Sequence, residues 1–232
     1  MRKIVPVLFA AAGLWAASGA HGYMFHSVMQ GISISSGNAL LADYAMNTII
    51  QNENGAEAKG KSRKIVSTAI AKPGGMAGID VLVAGYQPGQ QAEARKVFAQ
   101  MIELFEPVAR KLNVPAHDMG SAAAALIAGS YAAYKNQVLP DEYFGPLVRQ
   151  MQQALAADAK FARMSLQEKQ RMYQILVGTG MFLTMAQLEN MKNPDPQITA
   201  QLQSAGKEFL ARFTHMDAAS IQLNQNGLSQ AR

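Results

Sequence analysis

Five apolar stripes at helical spacing follow one another between residues 91 and 214, with short connections between them. In the first stripe, Val97, Phe98, Met101 and Phe105 recur every three or four residues, which places them on one face of a helix. Helices joined by short connections pack most simply as antiparallel neighbours. The pattern therefore predicts an all-α fold, an up-down bundle of about five helices, whose further members cover about 118–135, 144–155, 165–191 and 196–214.

A proline lies inside the first stripe. Pro107 cannot donate a backbone hydrogen bond and its ring crowds the preceding turn, so we expect a kink or a break in the helix there. The second helix begins after Pro115. Asp118 lies at its start, where a carboxylate caps free amide groups or lies beneath the positive end of the helix dipole. We therefore interpret Asp118 as a structural residue.

The second helix carries a stripe of small residues. Ala125, Gly129 and Ala133 recur every four residues, so they share one face of the helix. Because their side chains are so small, the backbone of a neighbouring helix can approach closely. The stripe predicts a tight helix contact centred on Gly129.

The fourth helix opens with a capping signature and continues as an apolar run. Ser165 and Glu168 have the spacing of a capping box, in which each side chain accepts a hydrogen bond from the backbone amide of the other residue. Residues 172–188 are apolar nearly all round the helix, which favours a central position in the bundle. A membrane span is the alternative, but Gln174 and Gln187 interrupt the run, so we expect no stable span once the signal is removed.

The first residues have the pattern of a secretion signal. Arg2 and Lys3 precede an apolar run at 4–17, and small residues follow it, so we predict a signal peptide covering residues 1–20. A cut after Gly22 is the alternative. With either cut, we expect the protein to be periplasmic or secreted. The sequence contains no Cys, so the exported chain must be stabilised by its apolar core without disulfides.

The region between the signal and the first stripe is more polar and richer in Gly. We predict an N-terminal arm, a helix and a Gly-rich linker over residues 21–90, with the helix at 38–50. Residues 91–228 form the helical bundle domain. We expect its tail to pack Ile221 and Leu223 before it frays.

Two short motifs match nucleotide-binding sequences but lack the structural context that these need. Residues 55–62, GAEAKGKS, match the phosphate-binding loop, yet the residues before them are polar and form no buried strand. We interpret them as part of a flexible basic linker at 52–64. Tyr131 and Lys135 have the spacing of the short-chain dehydrogenases, whose alternating strands and helices the pattern does not show. We therefore predict no cofactor.

A chain cut after Ala20 begins with a histidine. The amine and the ring nitrogen of His21 can bind copper when a second imidazole lies opposite, and His26, His117 and His215 are the candidates. The His-Gly-Tyr start resembles that of copper-dependent polysaccharide monooxygenases over three residues. Those enzymes are built on a β-sandwich, whereas the pattern here is helical. We therefore interpret His21 as the neighbour of a processing site, and a metal site at His21 and His26 is the alternative.

Several short sequences occur in order along the C-terminal two-thirds of the chain. They are Pro115 and Asp118 before an Ala-rich helix, Tyr131, the run Arg149-Gln150-Met151, and Glu168-Lys169-Gln170 followed by Tyr173. Over residues 91–228 the chain resembles a family of uncharacterised exported proteobacterial helical proteins. The resemblance implies a helical domain of unknown function, and it implies no activity and no catalytic residues.

The sequence shows no recognisable arrangement of catalytic residues, so no catalytic site is predicted. The leading hypothesis is an exported, non-catalytic helical binding or interaction module, such as an accessory to an envelope assembly, whose partner is another protein. A periplasmic carrier of a small apolar ligand in a Met-lined bundle core is the first alternative, and an enzyme with an unrecognised site is the second. The formal charge of +5 falls to +3 with the signal, and the scattered cations indicate no nucleic-acid surface.

Overall fold

The computed structural model describes residues 66–231. Its α-helices are α1 Ala77–Val83, α2 Pro88–Lys111, α3 Met119–Lys135, α4 Phe144–Ala157, α5 Ala159–Arg163, α6 Leu166–Lys192 and α7 Pro196–Thr214. Short 3-10 helices lie at Asp141–Tyr143 and Ala218–Ser220, and an antiparallel hairpin follows with β1 Ile221–Asn224 and β2 Gly227–Gln230. The prediction of a mostly helical fold is confirmed, and the five long helices α2, α3, α4, α6 and α7 correspond to the five apolar stripes.

Helix α6 lies at the centre of the bundle, and all its residues from Met172 to Leu188 are buried. Gly178 faces Leu82 of α1 and Phe98 of α2. Gly180, about 200° further round the helix, faces α3 on the opposite side. Helices therefore cover α6 on both sides, which explains why it is apolar all round. Within residues 66–231, no helix is both long enough and apolar enough to span a membrane.

Helices α3 and α6 form the most extensive helix contact, and they run parallel to each other. Gly129 faces Gly180 near the middle of the pair, and at its far end Gln187 Nε2 donates a hydrogen bond to Asn136 Oδ1 at 2.8 Å. The later residue on the α3 side, Asn136, contacts the later residue of α6, Gln187. The two helices therefore point in the same direction. The chain reaches this arrangement by returning through α4 and α5 before α6 begins.

Consecutive helices joined by short connections run antiparallel, as the sequence predicts. Gly120 at the start of α3 faces Gln152 near the end of α4. Helix α2 is antiparallel to α6, since Phe98 packs on Phe182 with ring centroids 5.5 Å apart and Phe105 packs edge-on against the ring of Tyr173. The bundle is therefore built around the α3–α6 pair.

Helix α2 continues through Pro107 from its first residue to its last, so the expected break is absent. The proline ring lies on the side of α2 that is not buried in the core. Its missing amide proton leaves the carbonyl of Glu103, four residues earlier, without its usual helical donor. Glu103 and Pro107 both line an open cleft on this side of α2.

Residues 66–90, the last part of the predicted Gly-rich linker, contain a short helix and pack in part against the bundle. Ile79, Leu82 and Val83 of α1 are buried in the core. Before α1, the backbone of Ala69 forms an isolated antiparallel bridge with Asp118. The packed part of the chain therefore begins upstream of residue 91, where the sequence pattern places the start of the bundle.

The tail forms a hairpin instead of fraying. Ile221 and Leu223 are buried, as expected, and both lie on β1. The turn ends at Gly227, whose φ of 101° strongly favours glycine. Asn226-Gly227 is a common hairpin turn sequence, so this element had a readable signal that the helical interpretation passed over.

Several predictions fall on residues 1–65, outside the described part of the chain. They are the signal peptide, the helix at 38–50, the linker at 52–64 with its GAEAKGKS motif, and the copper candidates His21 and His26. They stay predictions.

Candidate functional site

A cleft of about 480 Å³ opens between α2 and the segment that precedes α1. One wall is the stretch from Lys72 to Met76 with the start of α1, and the other is the face of α2 that runs from Ala99 to Arg110. Tyr173 and Gln174 of α6 form its floor. The cleft thus joins three parts of the chain that are far apart in sequence.

The side chain of Gln174 attaches the wall before α1 to the central helix. Its Oε1 accepts a hydrogen bond from Gly78 N at 2.7 Å, and its Nε2 donates to Gly75 O at 2.9 Å. The side chain is buried, so both partners are needed to satisfy its amide. The polar residue that interrupts the apolar run of α6 therefore positions one wall of the cleft.

Asp118 attaches the same segment at its other end. It is the N-cap of α3, and its Oδ1 accepts a hydrogen bond from Ser121 N at 2.9 Å. Its Oδ2 accepts from the hydroxyl of Thr68 at 2.6 Å, and the carboxylate is almost fully buried. The adjacent backbone pairs twice more, Ile70 N with His117 O at 3.0 Å and Met119 N with Thr68 O at 2.9 Å. The residue predicted as a cap also fixes residues 68–70 and places His117 at the cleft.

Three basic side chains converge on Glu106 in the cleft. Glu106 Oε2 lies 3.2 Å from Lys72 Nζ and 3.8 Å from His117 Nε2, and Oε1 lies 2.9 Å from Arg110 Nη1. The hydrogen bond from Lys72, together with the charges of Lys72, Arg110 and His117, lowers the pKa of the Glu106 carboxyl below its usual range. Glu106 is therefore a carboxylate at neutral pH.

The floor of the cleft also offers no free proton donor. The Tyr173 hydroxyl donates a hydrogen bond to Ala116 O at 2.7 Å. Burial, with smaller contributions from the charges of Glu106 and Asp118, raises the pKa of Tyr173, so the phenol stays protonated. A carboxyl with a lowered pKa and a phenol with a raised pKa are both poor proton-transfer groups near neutral pH. Glu106 and Tyr173 are therefore suited to ionic and hydrogen-bonded contacts.

The two ends of the cleft differ in character. Lys72, Arg110 and His117 lie towards one end, whereas Met76, Ile79, Ala99 and Ile102 supply apolar surface towards the other. Met76 is 39% exposed, which is high for a large apolar side chain. The carboxylate of Glu103 also lies near the apolar end.

The remaining structural predictions concern positions away from the cleft. Ser165 is the N-cap of α6, and its Oγ accepts from Glu168 N at 3.2 Å while Glu168 Oε2 accepts from Ser165 N at 2.7 Å. The Ser165 hydroxyl also donates to Glu168 Oε2 at 2.7 Å, and this hydrogen bond, together with the one from Ser165 N, lowers the pKa of Glu168. Gly129 lies at the α3–α6 contact, where its missing side chain admits the backbone of Gly180.

The Tyr131–Lys135 motif forms a stacking arrangement on α3. Lys135 Nζ lies 4.6 Å from the ring centroid of Tyr134 and 5.9 Å from that of Tyr131. The ammonium group therefore lies against aromatic faces, as in a cation–π contact. This geometry serves packing at the end of α3.

Metal binding gains no support from the described residues. Residues 66–231 contain no group of three or more His, Asp or Glu side chains placed to bind a metal ion. His117 lies at the cleft beside Glu106, and His215 is the exposed residue that ends α7 in a left-handed conformation.

The buried methionines are packed, with no room beside them for a ligand. Six of them are at most 2% exposed: Met101, Met119, Met151, Met172, Met181 and Met185. A side chain without accessible surface lines no cavity that even a water molecule could enter. The described core therefore lends no support to a carrier with a Met-lined cavity.

The fold and the cleft define a helical domain with a small, charged and partly apolar cleft. The chain belongs to a family of unknown function (DUF6683), whose model matches residues 4–231. The resemblance noted over residues 91–228 is confirmed, and the match extends it over nearly the whole chain. Searches of curated proteins and of solved structures gave no match.

Proposed function

We propose that this protein is an exported, non-catalytic binding module that takes a short segment of another protein in the cleft between α2 and the stretch from Lys72 to Met76. Export rests on the signal-like pattern of residues 1–20. The single observation that carries the binding role is an open cleft with one cationic and one apolar end, whose walls are fixed by buried hydrogen bonds.

The dimensions of the cleft suit a peptide. The lining residues of α2 run from Ala99 to Arg110, which is about 16 Å at the rise of an α-helix. An extended chain rises about 3.3 Å per residue, so about five residues match this length. The wall opposite α2 is itself an irregular stretch of backbone, and a bound peptide could pair with it.

The cleft is formed before any ligand arrives. Gln174 and Asp118, both buried, attach the wall from Thr68 to Gly78 at its two ends. A site that is already ordered loses less conformational entropy on binding than a loop that must fold around its ligand. This arrangement supports a binding role. The ionisation states of Glu106 and Tyr173, described above, offer little to acid–base catalysis.

Affinity selection from a synthetic library of random pentapeptides, with the purified full-length chain as the target, tests the proposal. Selected peptides are synthesised and titrated calorimetrically against the wild type, Arg110→Ala and Arg212→Ala. Arg212 is a matched control, because it pairs with Glu208 four residues earlier on α7 at 2.7 Å, as Arg110 pairs with Glu106 on α2 at 2.9 Å.

We expect Arg110→Ala to weaken binding roughly tenfold, since a hydrogen bond to a charged group contributes about 1.5–3 kcal/mol. Arg212→Ala should leave the affinity within about twofold, as expected of an exposed charge far from the ligand. If the library yields no binder, or if binders respond equally to both substitutions, the cleft is not a peptide site.

A further inference from the structure

We propose that the cationic end of the cleft, formed by Lys72, Arg110 and His117, binds a carboxylate of the ligand, so that the peptide enters with a fixed polarity. This inference rests on the proposed function, because it concerns the ligand of the same cleft. It names the chemical group that is recognised.

The cations at this end have unused hydrogen-bond donors. The Lys72 ammonium group has three N–H donors and the Arg110 guanidinium has five, yet within residues 66–231 each makes a single hydrogen bond, in both cases to Glu106. The two side chains are 74% and 67% exposed, so the remaining donors are accessible to a ligand. A second carboxylate can bind to these donors without displacing the first.

Glu106 orders these cations but does not neutralise them. Lys72 and Arg110 contribute two positive charges and Glu106 one negative charge, which leaves a surplus of +1, or +2 when His117 is protonated. The three basic groups come from the segment before α1, from α2 and from the residue that precedes the α3 cap. They converge on one carboxylate because the fold brings these three elements together. A second anion can therefore bind to cations that Glu106 already holds in place.

The opposite end disfavours a carboxylate. Glu103 lines the cleft one helical turn before Glu106, and no described Lys, Arg or His forms an ion pair with it. Its charge repels an anionic group at that end. The cations at one end and Glu103 towards the other set the same polarity for the peptide, with its carboxylate towards Arg110.

A carboxylate can come from the C-terminus of the peptide or from an Asp or Glu side chain. The two sources are separated with the pentapeptides selected above. Each peptide is made in three forms: unchanged, with a C-terminal carboxamide, and with every Asp or Glu replaced by its amide. Each form is titrated against the wild type, Lys72→Gln/Arg110→Gln and the control Lys192→Gln/Arg212→Gln. Lys192 pairs with Glu189 at 3.1 Å on α6, so the control likewise removes one Lys and one Arg, each from an ion pair with a Glu.

We expect one of the two amide forms to bind the wild type and the control variant roughly tenfold more weakly than the unchanged peptide. Which form loses affinity identifies the source of the carboxylate. To Lys72→Gln/Arg110→Gln, the unchanged peptide and its two amide forms should bind within about twofold of one another, because the partner of the carboxylate is gone. Both substituted side chains are largely exposed, and an unchanged melting temperature shows that the variant folds.

Two results overturn the inference, and they differ in what they say of the proposed function. If peptides bind and Arg110→Ala weakens them, but neither amide form loses affinity, the cleft is a peptide site that does not recognise a carboxylate. If the libraries yield no binder to the cleft, the inference and the proposed function fail together.

Discussion

Gly129 of α3 and Gly180 of α6 face each other so closely that a Cβ atom added to either would overlap the backbone of the other helix. A Cβ on Gly129 meets the carbonyl of Gly180, and a Cβ on Gly180 meets the backbone of Ala125 and Leu126. The two helices thus contact each other backbone to backbone at the centre of the bundle. Because α6 forms the floor of the cleft and α3 follows directly after His117, this contact also fixes the cleft.

Gly129→Ala should destabilise the domain. The overlap with the Gly180 carbonyl cannot be relieved by rotating a flexible side chain, and overpacking of this kind costs about 1–3 kcal/mol or more. The gain of about 1 kcal/mol in helix propensity does not offset it. The free energy of unfolding in urea is the measurement. Gly145→Ala on α4 is the control, since its Cβ would meet only Arg149 Nη1 at 3.6 Å, and it should be neutral or slightly stabilising. Equal stability of the two variants would show that the α3–α6 contact is looser than described.

Asp118→Ala should cost more than the loss of an ordinary helix cap. Removal of an N-cap costs about 1 kcal/mol, and the buried hydroxyl of Thr68 also loses its acceptor, which adds about 1–3 kcal/mol. Asp195→Ala, at the exposed N-cap of α7, should show only the cost of about 1 kcal/mol for a lost N-cap. Hydrogen exchange of the Ile70 and Met119 amides is the specific measurement. Both amides should lose protection in Asp118→Ala and keep it in Asp195→Ala. Unchanged protection in both would mean that the cap does not fix residues 68–70.

Gln150→Ala should release the C-terminal hairpin. Gln150 Nε2 donates to Leu228 O and its Oε1 accepts from Leu228 N, both at 2.8 Å, so one side chain satisfies both backbone groups of a buried strand residue. Losing two hydrogen bonds costs about 1–3 kcal/mol, or roughly 2–10 °C in melting temperature for a domain of this size. The exposed Gln153→Ala is the control and should melt with the wild type. The prediction fails if the Leu228 amide stays protected from exchange in Gln150→Ala.

The ion cluster in the cleft should appear in the acid dependence of stability. Since the pKa of Glu106 is lowered in the folded protein, its stabilising contribution is complete above the ordinary carboxyl value of about 4.5 and is lost as the pH falls through the folded pKa. Lys72→Gln removes the largest cause, so the pKa of Glu106 should rise towards its ordinary value in a carboxyl-carbon NMR titration. Lys192→Gln, which removes the partner of Glu189, should leave the Glu106 titration unchanged. An unaltered Glu106 titration in Lys72→Gln would mean that Lys72 is not its main partner.

Much of the helical fold could be predicted from the sequence because the interactions that define a helix are local. The apolar stripe that starts at Val97 and the capping pair Ser165 and Glu168 each act within a few residues of chain. The turn sequence Asn226-Gly227 was equally local, and it would have indicated the hairpin. Of the kink or break predicted at Pro107, the break does not occur, because the cost of a proline depends on what surrounds its ring, which the sequence does not show.

The sequence by itself determined the five long helices, where most of them begin and end, and which of their faces are apolar. The tertiary structure alone decided the parallel pairing of α3 with α6 and the existence of the cleft. Lys72 lies 34 residues from Glu106, and Gln174 lies 96 residues from Gly78. No periodicity relates positions so far apart in the chain. These contacts depend on the central position of α6 and on the pairing of the segment before α1 with the start of α3, so the site is a product of long-range packing.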